Sequence, residues 1–237
     1  MALTGPNGCG KTSLVRTFNG LNLPDSGSLS VAGLDMRSPD NRNRVKRRIQ
    51  LVFQNPEAQT VGATPYEDVA FGLENRGVEH GEMKQRIGEV LAQVGLAHQA
   101  DTPVSSLSGG ERQRLAAACC LALEPEMIIF DEVTSMLDPA GRSDMLMLAR
   151  KLWLAGMSVL WVTQRMDELA ESPRIGVMQS GRLLYDGDPR TLFYSSSLPE
   201  QLGWEPPTAV RIGRLLQAQG WPVHLLPLSE RDLEEIL

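Results

Sequence analysis

The sequence predicts an α/β fold with a mainly parallel central sheet, and three observations predict it. A glycine loop at residues 5–10 runs into Lys11-Thr12; an apolar run at 127–130 ends in two acids; and helix and strand patterns alternate from Ser108 onward. The chain has 237 residues, enough for one large α/β domain plus a small appendage.

Taken in order, residues 1–4 are all that is present to form a strand leading into the loop. A helix is expected over 11–18, then turns and short strands over 19–33, where apolar pairs alternate with Asn, Pro, Asp and Gly. A basic stretch from Val45 runs into an apolar strand at 49–53, and 68–97 reads as mainly helical, with Ile87, Val90, Leu91 and Val94 on one face. Helices are expected at 111–123 and 143–154, and buried strands at 127–130 and 158–162. Ser180-Gly181 reads as a hairpin turn between strands at 176–178 and 182–185. Pro206-Pro207 marks a boundary, followed by an amphipathic helix at 208–219 with Ile212, Leu215 and Leu216 on its apolar face.

A net charge of −6 gives no electrostatic reason to expect nucleic-acid binding. The local crowd of Arg37, Arg42, Arg44, Lys46, Arg47 and Arg48 reads as a solvated helix face. Cys9, Cys119 and Cys120 form no disulfide framework, which fits a reducing cytoplasm. No signal segment is visible, and no apolar run approaches the ~20 residues of a membrane span, so any membrane role must act through a separate partner.

Three stretches carry chemistry. Gly5-Pro6-Asn7-Gly8-Cys9-Gly10-Lys11-Thr12 fits the phosphate-loop pattern. Its glycines let backbone N–H groups turn toward phosphates, Lys11 reaches the β/γ phosphates and Thr12 holds Mg²⁺. Met127-Ile128-Ile129-Phe130-Asp131-Glu132 is a strand whose carboxyl end places Asp131 on the Mg²⁺ side and Glu132 where it polarises water. Leu107-Ser108-Gly109-Gly110-Glu111-Arg112-Gln113-Arg114 is a helix start prepared for an anion, with capping-box spacing from Ser108 to Glu111 and two glycines baring the backbone.

That octet, with the two stretches before it, resembles the signature of ABC ATPases, and the resemblance spans nearly the whole chain. It implies a P-loop NTPase cassette with a mainly parallel central sheet and a helical subdomain at about 68–122, within an ATPase domain at 1–197, followed by a helical extension at 198–237. It further implies ATP and Mg²⁺ as cofactors and a second ATPase subunit, identical or different, because Ser108 and Gly110 of one subunit reach the γ-phosphate held by the loop of the other. The residues implied to hold nucleotide are Gly5, Pro6, Asn7, Gly8, Cys9, Gly10, Lys11, Thr12, Ser13, Ser108, Gly109, Gly110 and Asp138. Those implied to hold metal are Thr12, Gln54 and Asp131, and those implied in catalysis are Glu132, Gln164 and Gln54. Gln54 matches the Q-loop glutamine, and Ser135-Met136-Leu137-Asp138 the D-loop.

Residues 53–64 together with 67–75 are similar to the energy-coupling-factor group, which imports vitamins or transition metals such as cobalt and nickel. That implies a transmembrane coupling subunit, a substrate-binding membrane subunit and a peripheral position on the cytoplasmic face of the membrane. In that group the tail beyond about 198 helps dimerisation; a generic helical cap is the plainer alternative. Two departures stand out. Gln164 occupies the place where the family usually carries a histidine, which implies slowed hydrolysis at this chain's own loop and pairing with a different ATPase subunit. The N-terminal strands that precede the loop in the family, with their adenine-stacking aromatic, are missing; a misassigned start, a truncation or a lost lobe each accounts for this. Without that aromatic, ATP is expected to bind about tenfold or more loosely, since stacking on a base contributes roughly 1–3 kcal/mol. Two other readings are a regulatory module that binds ATP without turning it over, and a soluble ABC ATPase outside transport.

Overall fold

A computed structural model describes residues 1–221 and 224–236, so positions 222, 223 and 237 of the tail lie outside the described residues. The chain divides into two units, Thr12–Leu160 and Met1–Lys11 with Trp161–Leu237.

The strand β1 (Ala2–Thr4) is wholly buried, so the few residues ahead of the glycine loop do form a strand. Helix α1 spans Lys11–Phe18. Beyond it, β2 (Ser30–Val31) and β3 (Leu34–Asp35) pair antiparallel around Ala32 and Gly33, both at positive φ, as a tight hairpin turn requires. Helix α2 (Pro39–Arg48) has Asp40 in its first turn and Lys46, Arg47 and Arg48 in its last, a charge order that complements the helix dipole. Arg44, Lys46 and Arg47 are exposed, as expected of a solvated face. Strand β4 (Ile49–Val52) follows.

The expected helical region at 68–97 is two helices, α3 (Pro65–Glu74) and α4 (His80–Gln93), separated by a turn in which Gly77 takes φ +72°. Met83, Ile87, Val90 and Leu91 are buried along α4. Helix α5 (Gly109–Leu121) leads to β5 (Met127–Asp131), which pairs in parallel with β4, Ile49 opposite Met127 and Val52 opposite Phe130. Helix α6 (Pro139–Leu154) begins four residues earlier than its apolar periodicity suggests. Proline is accommodated in a helix's first turn, and Asp138 caps the helix by accepting from Gly141 N–H at 2.8 Å.

In the other unit, β1 lies between the Trp161–Val162 end of β6 (Ser158–Val162) and β7 (Ile175–Gln179), parallel to both. Helix α7 (Met166–Ala170) joins these strands. Strand β8 (Arg182–Gly187) runs antiparallel to β7, and Ser180-Gly181 forms the hairpin turn at positive φ. The strand pairings are thus mainly parallel, as an α/β fold demands. Helices α8 (Pro189–Tyr194), α9 (Leu198–Gln201), α10 (Thr208–Ala218) and α11 (Glu230–Glu234) complete this unit. Val210 and Leu228 share one buried cluster with Ala2, Ile175, Val177 and Phe193. The inner face of α10 differs from the expected one. Ala209, Val210 and Gly213 are buried, while Leu215 is 62% exposed. The cause is close packing: a Cβ on Gly213 would lie 2.4 Å from the Tyr194 hydroxyl and 2.6 Å from Pro227, so only the small-residue side fits.

Candidate active site

Within the unit that begins at Met1, the glycine loop is held from several directions. Gly5 takes φ +152°, and a Cβ there would lie 2.1 Å from the Met178 carbonyl oxygen. Gly8 and Gly10 are also at positive φ, +75° and +102°. Cys9 is buried; its N–H donates to Pro6 O, and its carbonyl accepts from Gly181 N–H at 3.0 Å, so the β7–β8 turn clamps the loop. Lys11 is buried as well, and its ammonium donates to the carbonyls of Gly5 (2.9 Å) and Pro6 (3.3 Å). The cation expected to meet phosphate thus closes the loop on itself.

Gln164 is half-buried and its amide nitrogen donates to the Asn7 side-chain oxygen at 2.7 Å. A buried carboxylate orders the segment that carries it. Glu168 accepts from the Trp161 indole (2.9 Å) and the Thr163 hydroxyl (2.6 Å), and pairs with the Arg165 guanidinium at 3.5 Å. Sequence reasoning missed Glu168, since nothing in a short helix at 166–170 announces an inward-facing acid.

Within the unit Thr12–Leu160, the Thr12 hydroxyl donates to an Asp131 carboxylate oxygen at 3.2 Å, joining positions 119 residues apart. Glu132 stands at φ +51°, a backbone state that costs a side-chain-bearing residue roughly 1–3 kcal/mol and that recurs at functional sites. Its carbonyl accepts from both the amide (3.1 Å) and the hydroxyl (2.8 Å) of Ser135, and the Ser135 hydroxyl accepts from the Gln54 amide at 3.1 Å. Two residues that the sequence did not single out set the Gln54 segment. Gln113, 1% exposed, donates to Phe53 O at 2.8 Å, and Gln59 accepts from Phe53 N–H at 2.7 Å while donating to Leu51 O at 2.9 Å.

The expected capping box is present. Ser108 accepts from Glu111 N–H (3.2 Å), and Glu111 accepts from Ser108 N–H (2.7 Å). Gln99 donates to the other Glu111 oxygen at 2.6 Å, and these bonds hold the carboxyl below its ordinary range, the Gln99 bond most of all. Ser108 and Gly109 are exposed at the tip of α5; Gly110 is buried, so close to Gly141 that a Cβ would meet its Cα at 3.2 Å. Ser13 is exposed on α1, and Asp138 is taken up as the cap of α6. No helix among the described residues is long and apolar enough to cross a membrane.

A loop closed by its own buried lysine, leading straight into a hydroxyl bonded to a strand-end aspartate, is the construction of a phosphate-loop ATPase. The ABC transporter family matches residues 1–135. The chain belongs to the ABC transporter family, and it is an ATP-binding member of it. It is 39% identical, over 100% of its own length and 85% of the relative's, to the energy-coupling factor transporter ATP-binding protein EcfA1 of Halalkalibacterium halodurans. Among solved structures it resembles cbiO1 of Clostridium perfringens, part of the ABC transporter complex cbiONQ, with 31% identity, a TM-score of 0.76, and coverage of 91% of this chain and 86% of that one. It also resembles a dimeric post-hydrolysis state of the ATP-binding cassette MJ0796 bound to ADP and Pi, with 26% identity, a TM-score of 0.71, and coverage of 79% and 84%.

Proposed function

We infer that the chain is the ATP-hydrolysing motor subunit of a membrane importer of the energy-coupling-factor type, taking up a vitamin or a transition metal. The observation that carries this reading is the tip of α5: Ser108 and Gly109 are exposed and capped, ready for an anion that a second subunit brings. The two ATPase subunits then act with a transmembrane coupling subunit and a substrate-binding membrane subunit, on the cytoplasmic face of the membrane. The EcfA1 relative and the cbiO1 neighbour support that assignment.

In this reading the loop N–H groups and Lys11 bind the phosphates, and the nucleotide replaces Gly5 O and Pro6 O as the acceptor for the ammonium. The donor set fits Mg²⁺. Thr12 and Asp131 offer hard oxygens within hydrogen-bond distance of each other, and Gln54, whose amide nitrogen donates to Ser135, would supply its amide oxygen as a further ligand. A Mg²⁺ ion held by these residues would supply charge neutralisation on the phosphates. Glu132 takes the proton of the attacking water. Gln164 orients through its amide alone and cannot take up or release a proton as an imidazole does, which favours a slow site within a pair of unlike ATPase subunits.

Co-purification with the membrane subunits, followed by ATPase assays of the chain alone and in the complex, tests the reading. The complex is expected to turn over ATP several-fold faster; a chain that stays monomeric with ATP and Mg²⁺ even with a second ATPase subunit supplied, and that no membrane subunit stimulates, refutes it. A second test concerns position 164. Gln164→His is expected to raise turnover, by about two- to tenfold as a proton-transferring group is restored, and to add an inflection near pH 6.5. Wild type should show no such inflection. An unchanged rate and pH profile would remove Gln164 from the chemistry.

A further inference from the structure

A surface groove of about 260 Å³ is lined by Val61, Gly62, Glu67, Ala70, Phe71 and Glu74. One wall of it is built on a buried acid. The Asp68 carboxylate, 5% exposed, accepts from the successive N–H groups of Val61 (2.7 Å) and Gly62 (2.8 Å) on one oxygen. On its other oxygen it accepts from the Cys119 thiol at 3.4 Å. Two neighbouring N–H groups folded round one oxygen make a nest, and the fit is tight, since a Cβ on Gly62 would lie 2.3 Å from Asp68 N.

We propose that Asp68 and Cys119 are positioning residues that couple the groove wall at Val61–Gly62 to the Ser108 tip of α5. Cys119 lies on the helix that Ser108 caps, about three turns along it, and a helix transmits displacement over that length as a rigid element. The same helix holds Phe53 O, beside Gln54, through Gln113. A change in the wall therefore either drags α5 or breaks the Asp68–Cys119 bond. The thiol keeps its proton and remains a donor, because burial and the nearby Asp68 charge push its pKa well up. Nothing in catalysis uses this acid; its partners are a loop amide pair and a helix thiol.

The proposal rests on the reading of Ser108 as the contact to a second subunit's phosphate. Coupling free energy is reciprocal, so engagement of Ser108 must be felt at the Val61 and Gly62 amides. Hydrogen exchange at those two amides, in a Glu132→Gln background with the second ATPase subunit present, with and without ATP and Mg²⁺, reads it directly. Cys119→Ala removes the donor in a helix already rich in alanine (Ala116, Ala117, Ala118), and Cys119→Ser restores one. ATP is expected to change exchange at both amides about fivefold in the parent and in Cys119→Ser, and by less than about twofold in Cys119→Ala, the difference one hydrogen bond makes. With Glu132 intact, basal turnover is expected to stay the same in both cysteine variants. Sizing of the same samples separates the two claims. A parent that forms no dimer with ATP, either with itself or with a co-purified second ATPase subunit, overturns the transport reading and this proposal with it. A parent that dimerises without any exchange response, or a Cys119→Ala that responds like the parent, overturns the coupling alone. Basal turnover and exchange falling together in Cys119→Ala would show a purely structural role and overturn it too.

Discussion

Glu132→Gln is expected to lower ATP turnover by about 10²–10⁴-fold, the range that a positioned general base contributes, while ATP affinity stays within about threefold. Glutamine has the same shape and also accepts hydrogen bonds, but it cannot take up the proton of the attacking water. Position 132 sits at φ +51°, and its carbonyl anchors Ser135, which holds Gln54. Any side chain with a Cβ bears the same strain there, so the variant keeps the turn, the Ser135 bonds and the melting temperature. Single-turnover hydrolysis and equilibrium nucleotide binding, measured on the same preparation, separate the outcomes. Turnover within tenfold of wild type would move the base elsewhere, and loss of binding together with turnover would make Glu132 a structural residue.

Much of this site was legible because local chemistry punctuates it. The limits of α1 and β6 match expectation, since a glycine loop starts one and an apolar β-branched run bounded by Gly156 defines the other. The capping box of Ser108 and Glu111 is a spacing three residues long, so it reads directly from the chain. What failed was packing. Periodicity places the start of α6 at 143, whereas Pro139 is its first residue, because Asp138 caps it. The buried side of α10 follows Gly213, whose value lies in letting Tyr194 and Pro227 close in, and periodicity weights large apolar side chains instead. Gln113 and Phe53 are 60 residues apart, and Asp68 and Cys119 are 51 apart. Such bonds exist only once the fold has formed. Thr12 and Asp131 are farther apart still, and only their separate motifs made them readable in advance.

Two glycines of one loop are expected to respond differently to the same added methyl group, one mainly in stability and the other mainly in ATP affinity. Gly5→Ala puts a Cβ 2.1 Å from Met178 O and 3.0 Å from Met178 C, both backbone atoms of β7 that cannot rotate aside. It also imposes φ +152°, a conformation open to glycine and costly for alanine. Relief requires β1 and β7 to part where Leu3 lies opposite Gly176 and Thr4 opposite Val177, at the loop end of a buried pairing. A loss of about 3 kcal/mol or more follows, which for a chain of this size lowers Tm by roughly 6–12 °C. Gly8→Ala meets nothing within 4 Å, and its only cost to the free protein is φ +75°, about 1–2 kcal/mol. Yet the open space over Gly8 is where this reading seats phosphate, so that variant should lose ATP affinity while melting only a few degrees lower. Thermal unfolding and nucleotide titration of the pair decide the matter: if Gly8→Ala binds ATP like wild type, the phosphates do not lie over that stretch of the loop, and if Gly5→Ala melts like wild type, β7 does not hold the loop where the close approach to Met178 puts it.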